Sequence, residues 1–262
     1  MGLPLFAQEG REVALTQAGE EMLNTVRLLD DVWSRFESVI DDLKGLQRGR
    51  LRVALVSTAR YFLPRMLGNF CRRFPEIAIA MEITDRDRLV ARMRGNQDDL
   101  YIMLYPPEEL EVVSYPLLDN ELVVIAALGH WAAGQSLELS ALAGERFILR
   151  EVGSGSRRTI DTHLQAIGLK LDVKLTLNSN EAICDLVASG MGPAVLSRHA
   201  LPADAASGGL CILDINGLPL RKPWRAVHLK SKILSLPARA FLDHLLLDAN
   251  TPRYGQGAGT AA

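Results

Sequence analysis

The sequence predicts an α/β fold carried behind one long helix, and three observations predict it. Residues 51 to 250 alternate short apolar runs with amphipathic ones, the pattern of βαβ units around a mostly parallel sheet. Residues 16 to 44 hold no proline and repeat apolar side chains every three or four positions. The 262 residues are 48% apolar and 23% charged with a net charge of −2, enough apolar content for a sizeable core and unlike a disordered tail.

The long helix comes first. Thr16 is a good N-cap for the run QAGEEMLNTVRLLDDVWSRFESVIDDLK, and Lys44 followed by Gly45 forms its stop signal. Met22, Val26, Leu29, Trp33, Phe36, Ile40 and Leu43 follow the 3.5-residue period of a coiled-coil seam, narrower than the stripe of a helix lying on a core. A rod of roughly 42 Å with such a seam is expected to pair with a second chain in preference to docking on its own domain.

After the LQRGR segment, strands are predicted at Leu51 to Val56, Ile77 to Ile83, Asp99 to Leu104, Leu122 to Ala127, Arg146 to Leu149, Val173 to Leu177, Ala194 to Leu196, Leu210 to Ile215 and Trp224 to Leu229. Helices fit at Leu63 to Phe74, Arg86 to Arg94, Ser156 to Ile167, Asn180 to Ala188 and Ala238 to Leu247. This alternation fits either one doubly wound sheet or two smaller ones. The tail from Thr251, TPRYGQGAGTAA, is small and polar and is expected to be disordered.

Three cysteines without CxxC spacing read as free thiols in a reducing cytosol. The first residues lack a basic and an apolar leader region, and no window approaches about 18 continuous apolar residues, so a cytoplasmic protein without a membrane span is expected. No complete basic stripe announces a nucleic-acid surface.

Four predicted strand ends run into hydrogen-bonding residues that would open the next helix: Ser57-Thr58, Gly153 to Arg157, Asn178 to Asn180, and Ser197 to His199. In an open α/β sheet the ligand crevice lies at the carboxyl ends of the strands, where helix N-termini offer unpaired N–H donors to an anion. Any one of these motifs alone is an ordinary helix cap. Together they favour a small anionic ligand, with Arg86 and Arg198 as bidentate cations, while Arg157 reads as a solvated helix residue. Catalysis and a metal site are not expected, because the five histidines show no metal spacing and no GxSxG or phosphate-loop motif occurs. Asp98 and Asp99 are adjacent on a strand and point to opposite faces, so they cannot form an acid/base dyad.

The segment PLFAQEGREVALTQAGEEML at 4 to 23 resembles the end of the N-terminal domain of LysR-type transcriptional regulators through Pro4, Leu5, Phe6, Arg11, Leu15, Thr16, Ala18 and Gly19. STARYFLPRML, DRDRLVARMRGNQDDLYIM, LREVGSGSR, SNEAI and AVLSRHAL further resemble the subgroup that controls Calvin-cycle genes, the CbbR and CmpR type. The resemblance implies a winged helix-turn-helix wing remnant at 1–15, a linker and dimerisation helix at 16–50, and a type 2 periplasmic-binding-protein-like effector domain at 51–250. Its two α/β subdomains would take residues of about 51–122 with 221–250, and about 123–220, joined by crossover strands near Leu122 to Ala126 and Leu213 to Leu220. Ser57, Thr58, Arg86, Ser154, Ser156, Asn180 and Arg198 carry over as effector-binding residues.

The implied effector is a phosphorylated or anionic metabolite such as ribulose bisphosphate, phosphoenolpyruvate or NADPH, with no cofactor. Cys184 stands where the subgroup often has Lys, which would remove a cation near Asn180. The implied partners are a second copy, as homodimer or homotetramer, and operator DNA. Family members carry a recognition helix ahead of the PLF segment, so this chain alone is expected to bind operator weakly or not at all. Alternatives are a LysR-type regulator of another operon and a solute-binding protein of the same architecture, which the helix at 16 to 44 and the missing leader disfavour. An enzyme on this fold would need a paired acid and base, which the sequence does not supply.

Overall fold

The computed structural model describes residues 2–9, 12–43, 48–202 and 204–250. Arg11, the stop signal at Lys44 and Gly45, and the tail from Thr251 lie outside the described residues. Strands β1 (Phe6–Glu9) and β2 (Glu12–Leu15) form an antiparallel hairpin with Phe6 opposite Leu15. Helix α1 (Gln17–Leu43) follows. Thr16 joins the two: its hydroxyl accepts the Gly19 N–H at 3.1 Å and donates to the Pro4 carbonyl at 2.7 Å. A Cβ on Gly19 would fall 2.0 Å from the Leu5 carbonyl oxygen, so only glycine lets the helix pass this close to the hairpin.

Along α1, Met22, Val26, Leu29, Trp33 and Phe36 are exposed, Leu29 at 63% and Trp33 at 60%, with Ile40 half-buried; the Leu43 side chain lies outside the described residues. The helix also docks on its own domain, which the seam period did not foresee. Two residues past Leu29, a rotation of about 200° places Asp31 on the face opposite the seam. Its carboxylate, 4% exposed, accepts from Lys232 Nζ at 2.6 Å and Asn96 Nδ2 at 2.6 Å. Arg52 Nη2 lies 3.4 Å from Asp31 and 3.6 Å from Asp99, and Lys232 Nζ lies 3.4 Å from Asp99. A polar anchor of this kind is invisible to an apolar period, so a narrow seam and a docked helix coexist.

The rest of the chain runs β3 (Gly49–Val56), α2 (Leu63–Arg73), β4 (Ile77–Thr84), α3 (Arg86–Arg94), β5 (Leu100–Met103), β6 (Val112–Ala127), β7 (Ser136–Leu137), β8 (Arg146–Arg150), α4 (Gly155–Ala166), β9 (Asp172–Leu177), α5 (Asn180–Ala188), β10 (Ala194–Ser197), β11 (Leu210–Ile215), β12 (Leu220–Leu229) and α6 (Leu236–Asn250). The sheet order is β4-β3-β5-β12-β6-β10-β8-β9, with β11 on β6 and β7 on β11. Pairs β3/β4, β3/β5, β8/β9 and β8/β10 are parallel, but β6 and β12 pair antiparallel with their neighbours, so the sheet is mixed where mostly parallel pairing was expected. The physical reason is that the chain passes between the two halves of the sheet twice, once in each direction, and the passing strands lie side by side.

Helices cover both faces of each half. Leu51, Val53 and Leu55 of β3 face a cluster with Phe70 of α2 and Phe241 of α6, whereas Ala54 faces Leu89 and Met93 of α3, as strand alternation requires. In the other half α4 packs Ile160 against Phe147, and α5 packs Ile183 and Val187 against Ile125 and Ile148. Asp119 to Leu122 of β6 pair with Pro223 to Leu220 of β12, a stretch that meets the segments expected from the resemblance at Leu122 and Leu220 and extends beyond them. Leu122 to Ile125 pair with β10, and Leu213 belongs to β11. The first half of β6 escaped the sequence reading because Pro116, Asp119 and Asn120 interrupt its apolar alternation.

The Asp31 and Lys232 side chains are 3% and 1% exposed, and removing Asp31 takes away the nearer of the two carboxylates that balance the Lys232 charge, leaving Asp99 at 3.4 Å. Asp31→Ala is expected to lower unfolding free energy by about 3 kcal/mol. The double variant Asp31→Leu with Lys232→Met should recover most of that loss in the same urea titration; equal destabilisation by both variants would contradict the pairing.

Candidate functional site

The passing strands bring the carboxyl ends of β3, β5 and β8 to one narrow cleft with a cavity volume of about 30 Å³. Each wall is built by a strand running into a turn or helix start. After β3, Ser57 opens a 3-10 turn, Ser57–Tyr61, with Thr58 buried. After β4, Asp85 caps α3 by accepting the Arg88 N–H at 2.9 Å, which sets Arg86 in the first turn with Nη1 donating to the Tyr105 carbonyl at 2.8 Å. After β8, Ser154 caps α4 by accepting the Arg157 N–H at 3.2 Å. The N–H groups of Gly155 and Ser156 therefore belong to the first helical turn, where a helix has no internal acceptor for them and carries its positive dipole end.

Ser57, Thr58, Arg86, Ser154 and Ser156 all line this cleft. Asn180, 2% exposed, stands at the start of α5 and reaches the cleft through a hydrogen bond to Arg150. Arg198 is not in the cleft: its Nε pairs with Glu121 at 2.8 Å, and Glu121 also holds Arg221 at 3.1 Å. The turn after β10 abuts the passing strand β6, so its cation is taken by the carboxylate there. Cys184 corrects a second expectation. It is buried in the apolar cluster with Ile183 and Val187, where burial pushes its thiol up to about 11, so a cation at that position would enter the core and not the cleft.

The residue that organises the cleft is Arg150, at the end of β8, which the strand-end reading passed over in favour of the hydroxyls beyond it. It is 2% exposed. Its Nε and Nη2 donate to the two Glu151 oxygens at 2.7 and 2.9 Å, and Nη2 also donates to Ser57 Oγ at 3.1 Å. Nη1 donates to Thr58 Oγ1 at 3.1 Å and Asn180 Oδ1 at 2.6 Å. Five acceptors thus meet the five N–H donors of a guanidinium. The signal was present in the sequence, since a charge closing the apolar run FIL ahead of a glycine turn has to find partners once buried.

A strap of hydrogen bonds and one ion pair joins the turn after β3 to the start of α5. Arg60 pairs with Glu181, the Tyr61 hydroxyl donates to Glu181 at 2.8 Å, and Asn180 Nδ2 donates to the Tyr61 oxygen at 3.3 Å. Deeper, Tyr105 Oη lies 2.9 Å from Thr159 Oγ1 and the Arg158 guanidinium stacks 4.5 Å from the Tyr105 ring centre. A Cβ on Gly155 would lie 2.8 Å from Leu104 Cδ1, so a larger residue there would have to push the Leu104 side chain aside. Trp224 also lines the cleft, fully buried, and its Nε1 has no hydrogen-bond partner, which leaves a donor for an acceptor oxygen. Among the described residues no group of three His, Cys, Asp or Glu could hold a metal ion, and no helix is long and apolar enough to cross a membrane.

The Glu181 carboxyl is held at about 2: partial burial opposes this, but its own backbone N–H, the Tyr61 and Ser179 hydroxyls and the Arg60 charge outweigh it. A depressed carboxyl contributes stability above its unfolded value near 4.5 and loses it as pH falls through about 2. Unfolding measured between those pH values should show this loss in the wild type and a smaller one in Glu181→Gln. Identical pH profiles would contradict the strap.

A family model described as LysR substrate binding domain matches residues 44–249. The HTH-type transcriptional activator CmpR of Synechocystis sp. is 38% identical over 246 residues, 94% of this chain and 81% of that protein. A RuBisCO operon transcriptional regulator of Acidithiobacillus ferrooxidans is 42% identical over 246 residues, 94% of this chain and 80% of its own length. Among solved structures, the Synechocystis PCC6803 CcmR regulatory domain in complex with 2-PG superposes with a TM-score of 0.74 at 42% identity, covering 78% of this chain and 98% of that one. With a two-halved mixed sheet, a cleft at its strand ends and these relatives, the chain belongs to the LysR family of transcriptional regulators.

Proposed function

We propose that this chain senses a small phosphorylated metabolite in the cleft and thereby regulates carbon-fixation genes. The observation that carries the reading is the convergence, in one cleft, of a buried arginine, Arg86 and the N-terminus of α4. Phosphate recognition asks for that chemistry: bidentate guanidinium contacts and unpaired backbone N–H groups on a positive helix end. The 2-PG complex of the CcmR regulatory domain and the relatedness to RuBisCO operon regulators support the class of effector and of target gene. Ribulose bisphosphate, phosphoenolpyruvate, NADPH and 2-phosphoglycolate are the ligands to compare. The cleft residues serve to bind and none is assigned a reacting role, and the place of action of such a regulator is the cytoplasm.

The exposed seam of α1 supports pairing with a second copy, as dimer or tetramer. Effector binding would then alter the closure of the two sheet halves and, through the Asp31 anchor, the setting of the linker helix on operator DNA. Such a switch works only if the effector binds one arrangement better than the other.

Calorimetric titration of the chain with these four ligands and an uncharged sugar tests the reading. Saturable binding by phosphorylated ligands alone is expected, weakened about tenfold or more by Arg86→Met. Equal binding of the sugar, or none of any anion, would contradict it. Separately, Leu29→Glu with Phe36→Glu should halve the sedimenting mass if the seam pairs two copies; an unchanged mass would reject that interface.

A further inference from the structure

Arg150 reaches the cleft with no spare donor, and three of its four partner residues differ in kind from the fourth. Ser57, Thr58 and Asn180 offer neutral oxygens, whereas Glu151 brings a full negative charge to the Nε and Nη2 edge, with one oxygen on each nitrogen. That is the geometry in which an arginine receives the anionic group of a ligand. Both Arg150 and Glu151 line the cleft. Their exposures are unequal: the Arg150 side chain is 1% exposed and that of Glu151 is 31%. The carboxylate, followed by the 78% exposed Val152 and by Gly153 at φ +96°, is the partner with a route to solvent.

We propose that Glu151 is an internal stand-in for the effector's anionic group, which must displace it, and that this exchange makes the cleft select phosphoryl over carboxylate ligands. The inference rests on the anion-binding reading of the cleft. An arriving carboxylate replaces one already in place, two oxygens for two, and competes with a tethered group whose effective concentration is on the order of millimolar or more. A phosphoryl group brings three acceptor oxygens and close to two charges. It can take the Arg150 edge and still have an oxygen for the N–H groups of the first turn of α4 or for Trp224 Nε1, which has no partner. Glu151 therefore sets a threshold that a phosphoryl ligand passes and a carboxylate does not.

The test is calorimetric titration of the whole chain with 2-phosphoglycolate and with malonate, for wild type, Glu151→Gln, Glu151→Asp and Arg150→Met. Glu151→Gln is expected to bind both probes more tightly and to lower the ratio of phosphoryl to dicarboxylate affinity about tenfold. Glu151→Asp, too short to span both nitrogens, should fall between it and the wild type. An unchanged ratio in both Glu151 variants, or weaker binding of both probes by Glu151→Gln, overturns the role of Glu151; loss of binding in Arg150→Met would then leave the anion cleft itself standing. If neither probe binds the wild type or Glu151→Gln, the anion cleft fails and this inference with it.

Discussion

A guanidinium removed from water is tolerated only when its charge is balanced and its donors are filled, and Arg150 meets that constraint by drawing on both halves of the molecule. Ser57 and Thr58 come from the turn after β3, Asn180 from the start of α5, and Glu151 from its own loop. Ser57 and Thr58 lie in the other half from Arg150, so those two bonds exist only when the two halves close on each other. The other features of the cleft follow from that closure. Gly155 lets α4 meet Leu104 without displacing its side chain, and the strap of Arg60, Tyr61, Asn180 and Glu181 joins the turn after β3 to the start of α5.

The connection between the halves is a ladder interrupted by prolines. Pro116 of β6 and Pro223 of β12 sit on the paired passing strands and donate no ladder hydrogen bond, and the register shifts between Pro223 and Arg225. A ladder thinned at this point is suited to bending while the two packed cores stay intact. Strand β12 leads straight to Lys232, the buried cation that holds Asp31 of the linker helix, so the element that passes between the halves also ends at the helix anchor. Closure and helix setting thus share one strand, which gives a physical route from the cleft to the seam.

Much of this architecture was legible in the sequence because local chemistry and tertiary role agree. Helices α3 and α5 run over the residues expected of them, since Asp85 and Ser179 are true caps and the apolar spacing behind them is helical. Strand β11 likewise spans its expected residues. The strand-end rule led to Ser57, Thr58, Ser154 and Ser156, which share the cleft with Arg86. It failed at Arg198, whose fate depends on Glu121, a residue distant in sequence and placed beside it only by the passing strand. It also missed Arg150 and Trp224, because burial of a charge or of an indole donor depends on the far half of the molecule. The Asp31 anchor was hidden for the same reason: helical period reports apolar faces, and the docking face is held by ions.

The most direct measurement is a crystal structure of the chain with 2-phosphoglycolate. The account predicts a phosphoryl oxygen within about 3 Å of the Arg150 guanidinium, another facing the first-turn N–H groups of α4, and the Glu151 carboxylate turned away toward solvent. An anion bound elsewhere, or one in the cleft with all five donors of Arg150 still held by protein acceptors, would contradict it.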